Sequence, residues 1–284
     1  MMSDTLPGNV VSEIVSRALA EDLGGRGDIT TRATVPAEAS GQFRLVARQV
    51  GVLAGVEAAA ETFSQVDRDI EIEWREVDGD RLEPGTVIAQ VRGPAAAILT
   101  AERTALNFLG RLSGIATLTR RYADAVAGTD ARVAHTRKTT PGLRALELQA
   151  VTVGGGARHR FGLDDAILIK DNHVAMVGSV SEAVRRARGF AGHMVRVAVE
   201  IDTLDQLDEA LDAGAESILL DNFSNAELKQ AVLRCRGRGV TLEASGNVSL
   251  DAIAAIAATG VDIISIGKLT HSAPCLDLGL DEHA

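Results

Sequence analysis

A chain of 284 residues, 46% of them hydrophobic, is long enough for one barrel-sized domain and a smaller companion. Aromatics make up only 3% and charged residues 24%, so the core must be built from aliphatic side chains, which suits helices packed on sheets. The 39 acidic and 29 basic side chains give a net charge of −10, which argues against general binding to nucleic acid or an anionic membrane.

No stretch approaches the roughly 18 to 20 uninterrupted apolar residues of a membrane span, and MMSDTLPGNV lacks a basic segment followed by an apolar run. The cytoplasm is the expected compartment. Cys235 and Cys275 have no metal-type spacing and form no disulfide framework, so both are expected to be plain buried thiols.

In chain order, Val10, Ile14, Val15, Ala18 and Leu19 recur at helical spacing. Strand-like runs follow at Phe43 to Ala47, Ile70 to Trp74 and Val87 to Val91, with turn signals at Asp78-Gly79-Asp80 and Pro84-Gly85. This region reads as an antiparallel sheet carrying helices. From Pro94 a long apolar-periodic stretch through Leu99, Leu106, Leu109 and Leu112 predicts a bridging helix that breaks near Gly114.

After about residue 130 the pattern changes to short β-branched runs, each ending in polar residues and followed by a helical segment. The runs are Ala131 to Ala134, Ala166 to Ile169, Val195 to Val199, Ser217 to Leu220, Gly239 to Leu242 and Val261 to Ile266. Successive polar terminators at 170, 200, 221, 243 and 267 lie 30, 21, 22 and 24 residues apart, the length of one strand plus one crossover helix. In a parallel barrel all these strand ends converge on one mouth. A doubly wound open sheet remains the competing architecture, because periodicity does not show closure.

The terminators carry chemistry. Thr136-Arg137-Lys138 opens a loop that closes at Pro141-Gly142, and Arg158-His159-Arg160 follows the glycine triplet Gly154-Gly155-Gly156, placed where backbone must bend or approach a ligand. Between 136 and 170 six basic residues face three acidic ones, a local +3 that can trap a multiply charged anion. Lys170 leaves an apolar strand and can act as an electrostatic clamp or as a Schiff-base nucleophile. Glu200, Asp221 and Glu243 can hold ribose hydroxyls, bind magnesium directly or through water, and stabilise positive charge developing on a sugar. Ser245-Gly246-Asn247 and Gly267-Lys268 read as a phosphate cup, each before a helix expected to begin near Ser249 and Pro274 respectively.

Four blocks, His135 to Arg144, Gly162 to His173, Leu242 to Asn247 and Thr270 to Pro274, together resemble the quinolinate phosphoribosyltransferases, the carboxylating nicotinate-nucleotide pyrophosphorylases. The likeness extends over essentially the whole chain, including Glu102 to Asn107. It implies an α/β protein in which an α/β sandwich precedes an open-sided, TIM-like α/β barrel. The expected limits are 1–114 for the sandwich with its bridging helix, 115–270 for the barrel, and 271–284 for a tail packing back on the first domain.

The same resemblance implies a homodimer in which Arg103 enters the partner subunit's site, with assembly into a hexamer of dimers left open. Quinolinate would be held by Arg103, Thr136, Arg137, Lys138, His159, Arg160 and Lys170. Phosphoribosyl pyrophosphate would meet Glu200, Asp221, Glu243, Ser245, Gly246, Asn247, Ile266, Gly267, Lys268 and His271. Magnesium at Glu200 and Asp221 is the expected cofactor, with no organic one, and Lys138, Lys170, Glu200 and Asp221 are the expected catalytic residues.

Two positions depart from the family pattern: His135 stands where aspartate is frequent and Arg158 where asparagine is frequent, adding positive charge beside the expected carboxylate pocket. The alternatives are a related phosphoribosyltransferase acting on another nitrogen base, of the type associated with molybdate transport, a Schiff-base aldolase using Lys170, and a non-catalytic phosphosugar sensor.

Overall fold

The computed structural model describes residues 6–282. In chain order its elements are α1 (Gly8–Leu23), α2 (Ile29–Thr34), β1 (Ser40–Ala47), β2 (Gly51–Val52), α3 (Val56–Val66), β3 (Glu71–Trp74), β4 (Arg81–Leu82), β5 (Val87–Pro94) and α4 (Ala95–Ala125). There follow β6 (Arg132–Ala134), α5 (Arg144–Val153), β7 (Ile167–Ile169), α6 (Asp171–Val177), α7 (Val180–Phe190), β8 (Val197–Ile201), α8 (Leu204–Asp212) and β9 (Ser217–Asp221). The last are α9 (Asn225–Cys235), β10 (Thr241–Ser245), α10 (Ile253–Ala257), β11 (Ile263–Ser265), α11 (Lys268–His271) and β12 (Leu278–Glu282). No helix among the described residues is long and apolar enough to cross a membrane.

The chain forms two compact units. Among the described residues the first takes 6–120, 139–155 and 269–282. Its main sheet is antiparallel in the order β12-β1-β5-β3, with β2 and β4 paired separately. Leu45, Leu53, Phe63, Leu82, Ile88, Ile98 and Leu109 fill its core, the aliphatic interior that the composition demands.

The bridging helix does not break at Gly114: α4 runs unbroken to Ala125. Glycine is required there by packing, because a Cβ at Gly114 would collide with the carbonyl oxygen of Pro274. Four residues earlier, Gly110 accepts a hydrogen bond from the Leu276 amide at 2.8 Å. The tail is therefore extended, and the helix expected near Pro274 is replaced by the short α11 ending at His271. Along that extended tail Ala273 and Leu276 are buried while Cys275 is exposed, so only Cys235 is the buried thiol expected of both.

Residues 139–155 also belong to this first unit, and they explain one of the glycines: a Cβ on Gly154 would lie 2.5 Å from the Ala116 carbonyl of α4. Gly154 thus serves helix packing within the unit.

The second unit, residues 121–138 and 156–268, is a six-stranded parallel sheet in the order β6-β11-β10-β9-β8-β7. Its first strand pairs with its last while the intervening strands follow in succession. That is the cyclic order of a barrel left open between β6 and β7; a doubly wound sheet would set its first strand centrally. Capping serines and threonines start the crossover helices: Ser179 accepts from Glu182 N, Thr203 from Gln206 N and Ser224 from Glu227 N, the last two in capping boxes.

Candidate active site

Strand register decides which side chains share a face. Pairing of Glu200 with Leu219, Leu219 with Glu243, and Glu243 with Ile263 places these residues in one row across β8 to β11. Side chains alternate along a strand, so Asp221 and Ser245, themselves paired, and then Ser265 form the next row on that same face. The opposite face presents Val199, Ile201, Ile218, Leu220, Leu242 and Ile264, all buried.

This placement corrects part of the sequence reading. Glu200 and Glu243 do not terminate strands; β8 continues to Ile201 and β10 to Ser245, and both acids lie inside the strands on the polar face. Polarity here marks a barrel interior as well as a strand exit.

Lys170, directly after β7, donates from Nζ to Glu200 Oε2 at 3.0 Å. The ammonium is thereby committed to an ion pair that a Schiff-base nucleophile would have to give up. At the end of β9, Asp221 Oδ2 accepts from Asn222 Nδ2 at 2.7 Å. Each of the two acids thus has one oxygen engaged by a protein donor, and Glu200 Oε1 and Asp221 Oδ1 accept no hydrogen bond among the described residues. No group of three or more His, Cys, Asp or Glu side chains suited to a metal occurs among those residues. Two carboxylates with open oxygens fit magnesium, which commonly takes one or two protein carboxylates and completes its shell with water and phosphate oxygens.

The cationic side is assembled along β6. Ala157 forms a parallel bridge with Ala134, its amide donating to the Val133 carbonyl, and this carries His159 and Arg160 beside His135. The His159 amide donates to His135 Nε2 at 3.1 Å, and the Arg160 amide donates to His159 Nδ1 at 2.8 Å. His159 therefore carries its proton on Nε2, which lies 3.4 Å from Glu243 Oε2.

Burial, aided by the neighbouring His159 and Arg158, pushes the pKa of His135 down to about 4. His135 is consequently neutral near pH 7, and the extra positive charge expected of it is absent. Its ring instead works as a hydrogen-bond acceptor for the His-Arg segment.

Arg160 donates from Nη1 to the Ala166 carbonyl at 3.1 Å. Burial first, and then the Arg137 cation beside it, disfavour its charged state. Asp165 and Glu243 act the other way, and a partly buried guanidinium near a second cation favours a bound anion. Arg137 Nε, Arg160 Nε, Glu243 Oε1 and Ser265 Oγ are all buried without a hydrogen-bond partner, a concentration of unmet polar atoms that folded proteins seldom leave.

The remaining expected residues are distributed as follows. Thr136 Oγ1 accepts from the amide of Lys138, whose side chain is exposed. Gly246 and Asn247 are exposed beyond β10, and Gly267 and Lys268 are half-buried after β11. Ile266 is buried, and its amide donates to the Ala134 carbonyl, so its side chain is committed to the core. Arg103 and His271 belong to the first unit. There, Arg103 is exposed on α4 and lines a groove of about 920 Å³ with Thr104, Asn107 and Thr140 to Leu143.

Three residues of consequence were not singled out from sequence. Ser265 was hidden inside an apolar run, although alternation from Ile263 would have put it on the polar face. Glu147 entered only as one charge among several, whereas it is fully buried against Arg111. Asn222 carried no reading beyond its place after Asp221 at a strand end.

Comparison with known proteins agrees across the chain. Residues 28–113 match the N-terminal domain and residues 115–281 the C-terminal domain of quinolinate phosphoribosyl transferase. The nicotinate-nucleotide pyrophosphorylase (carboxylating) of Mycobacterium leprae is 48% identical over 95% of this chain and 96% of its own. Quinolinate phosphoribosyltransferase (decarboxylating) 2b of Nicotiana tabacum is 40% identical over 95% of this chain and 81% of its own. The structure of the nicotinate-nucleotide pyrophosphorylase from Francisella tularensis superposes with a TM-score of 0.94 at 37% identity, covering 100% of this chain and 99% of that one. With both domain models matched in order and full-length relatives above 40% identity, the chain belongs to the quinolinate phosphoribosyltransferase family.

Proposed function

We propose that this chain transfers the phosphoribosyl group of phosphoribosyl pyrophosphate to the ring nitrogen of quinolinate and releases carbon dioxide, forming nicotinate mononucleotide for NAD synthesis. The observation that carries the reading is the set of buried polar atoms without partners, Arg137 Nε, Arg160 Nε and Glu243 Oε1, in the parallel-sheet unit that also bears Glu200 and Asp221.

In this reading Arg137, Lys138, His159, Arg160 and Lys170 hold the two carboxylates of quinolinate, and a planar guanidinium grips each carboxylate with parallel hydrogen bonds. The ring nitrogen forms its bond to C1′ as the C1′–O bond to pyrophosphate breaks. Glu200 and Asp221 stabilise the positive charge on the ribose. Magnesium held at these two acids would neutralise charge on the departing pyrophosphate. The pyridinium then accepts the electron pair of the C2–carboxylate bond, and a proton takes the place of the carbon dioxide lost. Lys138 and Lys170 act by positioning, which needs no covalent bond to the enzyme.

The same reading makes the protein a homodimer. Arg103, exposed in the groove on α4, would reach the partner subunit's barrel mouth. Its proposed compartment is the cytoplasm, in keeping with two cysteines that form no disulfide.

Purified protein with phosphoribosyl pyrophosphate and magnesium is expected to release pyrophosphate and carbon dioxide in equal amounts with quinolinate, and neither with nicotinate. Pyrophosphate release with another nitrogen base, but none with quinolinate, would overturn this reading and favour the related transferase.

A further inference from the structure

Asn222 is the one non-glycine residue with positive φ among the described residues, at 56°. Such a backbone costs energy for any side chain, least for asparagine, and persists where surrounding contacts hold it. Three contacts hold it here. Its amide donates to the Ser245 carbonyl at 3.0 Å, closing the end of β9 onto the end of β10. Its side-chain Nδ2 donates to Asp221 Oδ2 at 2.7 Å. Its Oδ1 fills the space above Gly246, where a Cβ would come within 2.5 Å of that oxygen.

Gly246 itself has φ of 128°. The two unusual backbones therefore lie against each other, and a side chain at 246 would press on the Asn222 amide. Ordinary turn formation accounts for the left-handed backbone, but it does not require the side chain to bind a neighbouring carboxylate.

We propose that Asn222 is a positioning residue that fixes the Asp221 carboxylate and ties it to the Ser245-Gly246-Asn247 loop, so that the ribose and phosphate sides of the site are set as one piece. The inference rests on the proposed function. By donating to Oδ2, Asn222 leaves Oδ1 as the open oxygen and restricts the rotation that would exchange the two. A carboxylate that acts on transition-state charge gains from being held before the reaction begins.

Asn222→Gly is the informative variant, because glycine accepts the left-handed backbone and only the amide side chain is lost. It is expected to unfold in urea at the wild-type midpoint or slightly above it. The expected kcat is about 10- to 100-fold lower, the range for losing a hydrogen bond to a charged group. Quinolinate KM should stay within about twofold, since the dicarboxylate is held from β6 and β7. Calorimetry should show weaker binding of phosphoribosyl pyrophosphate alone. Asn222→Asp, which also tolerates the backbone but sets a second carboxylate against Asp221, should fall below Asn222→Gly in kcat.

An Asn222→Gly protein with wild-type kcat and wild-type phosphoribosyl pyrophosphate affinity would overturn the inference. So would a loss of stability with kcat and both KM values moving together, the mark of a merely structural role. Absence of quinolinate-dependent pyrophosphate release from the wild type would instead overturn the proposed function itself.

Discussion

Glu200→Ala is expected to lower kcat by about 10²- to 10³-fold, the scale seen when a group aimed at transition-state charge is removed. Glu200 lies on the polar face of β8 with a largely buried side chain, where its charge is poorly screened. Substrate in the ground state carries no positive ribose centre, so KM for quinolinate should change by less than about threefold. Because the substitution also frees Lys170 from its 3.0 Å ion pair, Glu200→Gln is the companion variant: it keeps an acceptor for the ammonium and removes the charge. Steady-state kinetics on both proteins checks the point. Equal kcat in Glu200→Gln and wild type would show that the carboxylate charge plays no part.

Glu147→Ala is expected to destabilise the fold by about 3–5 kcal/mol, the cost of leaving one member of a buried pair without the other. Glu147 is fully buried in the first unit and serves as the hub of a polar network. Its Oε1 accepts from Arg111 Nε and Nη2 and from Thr140 Oγ1, and its Oε2 accepts from the Thr140 amide at 3.0 Å. Arg111 in turn donates to the carbonyls of Ala273 and Thr270, so the network joins α4, α5 and the tail within that unit. Urea denaturation measures the loss directly. A change below about 1 kcal/mol would mean that the network relaxes into other partners.

Much of the barrel was legible because its period is a local property. A strand of three to five residues and a following helix repeat every 21 to 30 residues from 170 onward, and each strand carries at least one β-branched side chain. What the period cannot carry is closure. The pairing of β6 with β11 joins segments 131 residues apart, and only the structure separates the open barrel from a doubly wound sheet.

Where the reading failed, tertiary contact had overruled a local signal. Gly114 is a poor helix residue on its own, yet it sits inside an unbroken helix because the Pro274 carbonyl needs the space. Glu243 looked like an exit from a strand because acids are seldom buried, but it lies mid-strand within hydrogen-bonding reach of His159. His135 looked like added charge, and burial has made it neutral. In each case the residue type was read correctly in isolation, and a neighbour distant in sequence reversed its meaning.

The residues of the candidate site were visible as types at strand ends, but their roles needed register. Alternation along β8, β9 and β10 puts Glu200, Asp221, Glu243 and Ser245 on one face, whereas the row across them depends on parallel pairing. Asn222 had no signal beyond its place after Asp221, because a left-handed φ is a backbone property that asparagine permits without announcing.

The most direct measurement is a crystal structure of the protein with quinolinate bound. The account predicts both carboxylates of the ligand at about 2.7–2.9 Å from the Arg137, Arg160 and Lys170 donors, with the ring nitrogen turned toward the face carrying Glu200 and Asp221. A ligand lodged away from these side chains, or a ring nitrogen pointing away from both acids, would contradict it.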